Sequence, residues 1–348
     1  MRGLLLLVPL AACTDPVDPI PEPPAHVATG ALDAWQMQAA LPVARANHCA
    51  TAIGDWVLVI GGNFKQGDTF VKTDQIHAAQ LQPDGTLGAW QLAGTTPSPV
   101  TECTATSDGT TLYILDGLYD RDADARQIYA AALDDTGHLA PLASIGSLPQ
   151  IAISSEATVH DAELVLMDSV LPADGDQTVA LRRAVDAPAW TTDDWGIGFR
   201  AQAEYAFTDG FAYTLGGYKG DEGNPVTDEV FFTTFAADGS LGNTRPTTKL
   251  PAPVAFGEAV AVDDYVFVAG GRAQVFGGAA TTSVYAAHVE ADGSLAPWTT
   301  LAPLPMARTN HELVVVGDYL VIAGGAGAAG GDTTVLTARV RFEPPAAD

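Results

Sequence analysis

Four glutamates stand at the same place in a phrase that this 348-residue chain repeats. Counting back twelve residues from successive Gly-Gly steps, or their degenerate equivalents, reaches Cys49, Glu156, Glu204, Glu258 and Glu312. In the second copy a count of thirteen, for a turn that reads one residue longer, reaches Cys103. If the copies are arranged around an axis, these six positions form a ring. Carboxylates at one height in a narrow channel repel one another when all are ionised, so the ring either raises some of their pKa values or takes up a cation. Oxygen donors suit a hard ion such as calcium, and no other cofactor is indicated. The plainer outcome is that the carboxylates accept hydrogen bonds from neighbouring backbone N–H groups or from channel water.

One residue earlier the copies carry His48, Glu102, Ser155, Ala203, Gly257 and His311, and three residues further back lie Arg45, Arg200 and Arg308. The chain has three cysteines. If Cys13 carries lipid, Cys49 and Cys103 remain as a pair for a disulfide in an oxidising compartment, provided their Cα atoms come within about 7 Å. Two free buried thiols, or soft metal ligands beside His48 and Glu102, are the alternatives. Asp120, Asp122 and Asp124 alternate as in a calcium loop but lack its Gly and terminal Glu, and read as a solvated acidic loop. The sequence contains no nucleophile elbow, metalloprotease helix or phosphate loop.

The elements that must position these residues follow from the repeat. Residues 41–62, LPVARANHCATAIGDWVLVIGG, return at 304–325 as LPMARTNHELVVVGDYLVIAGG. The step occurs at Gly61-Gly62, Gly216-Gly217, Gly270-Gly271 and Gly324-Gly325, with degenerate copies at Asp116-Gly117 and Asp168-Ser169, at spacings of 55, 52, 48, 54 and 54 residues. A period near 50 exceeds the roughly 40 to 45 of WD repeats and indicates four-stranded propeller blades. Asp-Gly pairs in DGTLGAW (84–90), DGSLGNT (238–244) and DGSLAPW (292–298) suit hairpin turns that need positive φ. Residues 30–36, GALDAWQ, are a fourth-strand phrase with no blade before them, while residues 308–342 supply three strands and stop. The expectation is therefore an all-β, six-bladed propeller whose ring is closed by an N-terminal fourth strand that completes the C-terminal blade.

A formal charge of −26 argues against nucleic acid or an anionic lipid surface as partner, since both reward Lys and Arg. Residues 1–12 read as a lipoprotein signal peptide, with Arg2 ahead of an apolar run over 4–7 that is too short to span a bilayer. The ending Leu10-Ala11-Ala12-Cys13 resembles the bacterial lipobox, which implies diacylation of Cys13; Thr14 after it favours the outer membrane. Membrane contact would then be through the lipid anchor alone. Residues 13–24 form a stiff, Pro- and Asp-rich tether, 25–343 the propeller and 344–348 a tail.

The double Gly ending the second strand, the aromatics near it (Trp56, Tyr113, Tyr265, Tyr319) and the fourth-strand Trp35, Trp90 and Trp298 together resemble the bacterial kelch-repeat propeller lipoproteins. The second to fourth copies depart from the pattern: Leu142 replaces the Trp, the third step lacks both Gly, and no Trp follows DGSLG. The resemblance implies a monomeric, envelope-anchored binding or scaffolding module for a glycan or protein at one face of the disc. The alternative it implies is an enzyme similar to the periplasmic kelch sialic acid mutarotases, with Arg45, Arg200 and Arg308 holding a sugar carboxylate beside His48, Glu102, Glu204 and His311. Galactose-oxidase chemistry finds no recognisable copper ligands.

Overall fold

The computed structural model describes residues 27–115, 117–121, 124–149, 155–170, 177–220, 223–236, 240–327 and 330–343. Cys13, the tether and the tail lie outside them, as do Asp116 and Asp122. Among the described residues the regular structure is all strand: six small antiparallel sheets form the six blades of a β-propeller, and a two-stranded ladder joins Ala326–Gly327 to Gly330–Gly331.

In the first blade Cys49–Ile53 pairs with Trp56–Ile60, that strand with Thr69–Gln80, and the last with Gln91–Thr101. The innermost strands of the other blades are Thr104–Ser107, Glu156–His160, Glu204–Phe207, Ala255–Val262 and Glu312–Val316. Each touches the next, and Glu312–Val316 returns to Cys49–Ile53. One face of the disc carries the short hairpin turns between first and second strands and between third and fourth strands; we call it the turn face. The loops that follow the Gly-Gly steps, and the crossings between blades, lie on the opposite loop face.

The ring closes through the N-terminus. Val27–Leu32 and Gln36–Met37 both pair with Val335–Glu343, the third strand of the last blade, with Gln36 opposite Thr337 and Val27 opposite Glu343. Both ends of the described chain therefore leave from the turn face. A recurring contact explains why GALDAWQ resembles the other fourth-strand phrases. The glycine of each such turn packs on the aromatic that opens the second strand of the preceding blade: Gly85 on Tyr319, Gly137 on Trp56, Gly293 on Phe211, and Gly30 on Tyr265. A β-carbon at any of the four would come within 2.2 to 2.4 Å of the ring or its hydroxyl. Fourth-strand tryptophans lock the same seams, their indole N–H donating to a carbonyl of the preceding blade: Trp90 to Ala39, Trp190 to Ser147, Trp298 to Thr248.

The core lies between blades. Leu58, Ile60 and Ile76 of the first blade bury against Leu112, Ile114 and Cys103 of the second, and Leu320, Ile322 and Leu336 of the last against Phe267, Val284 and Ala286 of the fifth. At about 1.5–3 kcal/mol per large side chain buried, these seams are where the disc gets its stability.

Candidate functional site

Every blade uses the same two-residue turn between its first two strands. Ile53 pairs with Trp56, His160 with Glu163, Val262 with Tyr265 and Val316 with Tyr319. In the second blade Asp108 N–H donates to the Thr111 carbonyl around Gly109-Thr110, so that turn is not longer than the others. The register follows: Cys49 pairs with Ile60, Thr104 with Leu115, Glu156 with Met167, Glu204 with Leu215, Glu258 with Ala269 and Glu312 with Ala323. The ring position in the second blade is thus Thr104, not Cys103. The spacing of twelve holds throughout, and Cys103 drops to the level of His48, where the sequence reading had put Glu102. Cys49 and Cys103 are joined by a disulfide across this one-residue stagger, with Cα atoms 5.4 Å apart.

Glu156, Glu258 and Glu312 form the narrow point of the channel, because the cavities above and below share them. The loop-face cavity has a volume of about 80 Å³ and the turn-face one about 240 Å³. Glu204 is almost wholly buried and lines neither: it turns towards the fifth blade, where Oε1 accepts the Gly257 N–H at 2.8 Å. Burial pushes the carboxyl groups of Glu156 and Glu204 up to about 8. Glu258 and Glu312 are raised well above the ordinary carboxylate range, first by burial and then by their ring neighbours. Burial and mutual repulsion thus both bias the ring carboxyls towards the neutral form. Among the described residues no three His, Cys, Asp or Glu side chains converge closely enough to hold a metal ion.

Above the ring, a belt of main chain lines the loop-face cavity. Asn47, Glu102, Gln202, Phe256 and Asn310 each stand two residues before a ring position and share φ between 51° and 61°. Around the belt four amide hydrogens reach the preceding carbonyl: Asn47 to Asn310, Glu102 to Asn47, Phe256 to Gln202 and Asn310 to Phe256. Those N–H groups are thereby occupied and cannot serve a ligand oxyanion. Sequence reasoning missed this set, although the Asn in RANH and RTNH, a residue that tolerates the left-handed region, was its signal. Burial raises the Glu102 carboxyl, with Lys72 pulling the other way. His48 and His311 also line the cavity, and burial first, then the arginine three residues before each, lowers both imidazoles to about 3. Each ring faces a main-chain carbonyl of the preceding blade, Ala323 and Ala269, without hydrogen-bond geometry, and packs on a step glycine, Gly324 and Gly270.

The three arginines do not join them. Arg45 is fully buried inside the first blade, where Nη1 donates to the carbonyls of Gly61 and Gln75 at 3.0 Å and Val59 at 3.3 Å, and Nη2 meets His77. Arg308 donates to the Gly324 carbonyl at 2.9 Å, and Arg200 pairs with Glu229. None lines either channel cavity. Each is engaged within its own blade, Arg45 and Arg308 by carbonyls and Arg200 by a carboxylate, and none is placed to hold a sugar carboxylate in the channel. The acidic loop is also spoken for: Asp124 is buried and accepts from Ser98, Arg121 and Tyr129, and Asp120 pairs with Lys72 at 3.2 Å.

No family model matches the chain. Among solved structures it is similar to that of YjhT, with a TM-score of 0.66 and 15% identity over 88% of this chain and 99% of the other. At that identity the likeness is one of fold, a six-bladed β-propeller of the kelch type.

Proposed function

We propose that this protein is a binding or scaffolding module of the bacterial cell envelope, anchored through lipid on Cys13, that takes a glycan or protein partner on its loop face. The observation that supports this most is the size of the channel cavity. At about 80 Å³ it holds a few waters, whereas sites for drug-sized molecules run to about 300–1,000 Å³. The loop face offers an alternative to the channel, since Phe70, at the start of Thr69–Gln80 near the tip of its hairpin with Asn63–Gln66, and Phe276, on the loop after Gly270-Gly271, are 66% and 79% exposed. Exposed aromatics supply rigid apolar contact area to sugars and proteins alike.

Glycan-array and pull-down measurements on the full-length protein in detergent test the reading. Binding should be present and should fall at least tenfold in a Phe70→Ala, Phe276→Ala variant of unchanged melting temperature. The competing reading, a sugar-modifying enzyme, draws on the convergence of His48, His311, Glu102 and Glu156 in one cavity. Anomer exchange of an anionic sugar, seen by NMR and abolished in Glu102→Gln, would replace the binding assignment.

A further inference from the structure

Two further depressions lie on the turn face, off the channel axis, the first sharing Phe207 and Ala261 with the channel's turn-face cavity. One, of about 780 Å³, opens between the fourth and fifth blades; the other, of about 540 Å³, opens between the third and fourth. They meet at Asp209 in the turn of the fourth blade, which lines both. Beside the second, the third blade opens its second strand with Glu163, where the first, fourth, fifth and last blades have Trp56, Phe211, Tyr265 and Tyr319, and the Glu163 carboxylate is drawn to Arg182 at 2.8 Å.

Floor and rim differ in chemistry. Phe207, Phe211 and Val289 form the floor of the first depression, and Phe235 and His160 that of the second, their rings stacked at 4.0 Å and 18°. The rim carries Asp161, Asp209, Asp263, Asp264 and Glu290, and no lining residue is Lys or Arg. Among the described residues these carboxylates do not converge on a metal position. Their charge is spread along a path over three blades, which suits an extended cation better than an ion.

We propose that this groove docks an extended, arginine-rich segment of a partner protein. Arginine is specified over lysine because a guanidinium stacks on aromatic faces while its charge meets the carboxylates. The molecule already uses that contact internally, with Arg272 at 3.9 Å over Phe256 and Arg245 at 4.7 Å over Phe232. The chain's own ends do not fit: residues 14–24 carry Asp15, Asp18 and Glu22 without a basic residue, and the tail ends in Asp348. A second copy, at formal charge −26, is repelled. The groove is independent of the loop-face reading, since it lies on the other side of the disc.

Fluorescence anisotropy of a labelled octa-arginine peptide with the full-length protein in detergent tests this. Octa-arginine should bind at least fivefold more tightly than octa-lysine. An Asp209→Asn, Asp264→Asn variant should lose at least tenfold in affinity, while Asp55→Asn, Asp318→Asn, the same charge change at turns of the first and last blades, should lose less than twofold. Phe235→Leu, checked for unchanged melting temperature, should erase the preference for arginine. Equal losses in the two charge variants would show general electrostatic attraction and overturn the site. Equal binding of the two peptides, or a preference that survives Phe235→Leu, would overturn the arginine assignment.

Discussion

The His48 ring lies against Gly324 of the last blade so closely that a β-carbon on that glycine would stand 2.9 Å from the imidazole Cε1 and 2.8 Å from the Arg45 carbonyl oxygen. The same contact recurs one seam back, where a β-carbon on Gly270 would meet His311 Cε1 at 2.5 Å and the Arg308 carbonyl oxygen at 2.9 Å. Histidine and glycine are two halves of one inter-blade joint.

Gly324→Ala should therefore cost about 2–5 kcal/mol, the sum of a left-handed φ of +57° and overpacking against main chain that has nowhere to go. Gly54→Ala has a similar φ of +54° but open space around it and should cost about 1–2 kcal/mol. Urea denaturation of the two variants measures the difference; equal losses would mean that the joint is not tight.

Arg45→Met should lower stability by about 1–3 kcal/mol by stranding the Gly61 carbonyl in the dry interior of the blade, the Gln75 carbonyl keeping the Gly61 N–H. A ligand-binding arginine would behave in the opposite way, sparing the melting temperature and abolishing binding. Calorimetry alongside the binding assay separates the two.

Replacing Cys49 and Cys103 with serine frees a loop spanning 54 residues, for which chain entropy alone gives a loss of about 4 kcal/mol. Because the blades already hold the two strands side by side, we expect about 2–4 kcal/mol and a matching fall in melting temperature when reductant is added to the parent protein. A parent protein indifferent to reductant would show that the bond adds no constraint.

The ring makes stability depend on pH with a definite sign. A carboxyl whose folded pKa is raised contributes stability that is fully present below its unfolded value and lost as pH rises through the folded one. For Glu156 and Glu204 the loss runs up to about pH 8, and Glu258 and Glu312 lose theirs in the same direction. His48 and His311 act oppositely: their pKa values are depressed to about 3, so their contribution is intact above the ordinary imidazole value and lost as pH falls towards 3. Glu258→Gln, Glu312→Gln should flatten the decline in melting temperature between pH 6 and 9 while leaving the acid limb in place. A parent protein whose melting temperature rises over pH 6–9 would mean that the ring is ionised and paired.

Much of this architecture was legible in the chain. The Gly-Gly steps and Asp-Gly turns are tied to positive φ, which few residues but Gly adopt, so they mark the ends of strands wherever they fall. The composite blade was legible too, because Gly30 repeats the glycine that packs on the preceding blade's aromatic at Gly85, Gly137 and Gly293. The ring was misregistered in one blade only, where a cysteine beside Thr104 invited an extra residue that the turn does not contain. What could not be read was the fate of the arginines. Arg45 and Arg308 turn to carbonyls of Val59, Gly61, Gln75 and Gly324, groups that every residue possesses and no spelling reveals, while Arg200 finds the Glu229 carboxylate 29 residues further on. The turn-face groove was equally hidden, since it brings together Asp161, Asp209 and Asp264 from turns of three blades that only the folded disc places side by side.

Joining Gln36 to Thr337 has a kinetic consequence. The two strands that seal the disc are about 300 residues apart, and closing so long a flexible loop costs on the order of 5 kcal/mol of chain entropy. Blades whose strands are neighbours in sequence escape that cost and form early; once stacked, they carry the two ends towards each other and shorten the search. Sealing is therefore the late step. Until it happens both the first strand and the third strand of the last blade present bare edges to other chains. A newly made molecule is consequently most exposed to aggregation after it has acquired nearly all of its structure, and the rate of that last pairing, more than the stability of any blade, sets how much of it survives.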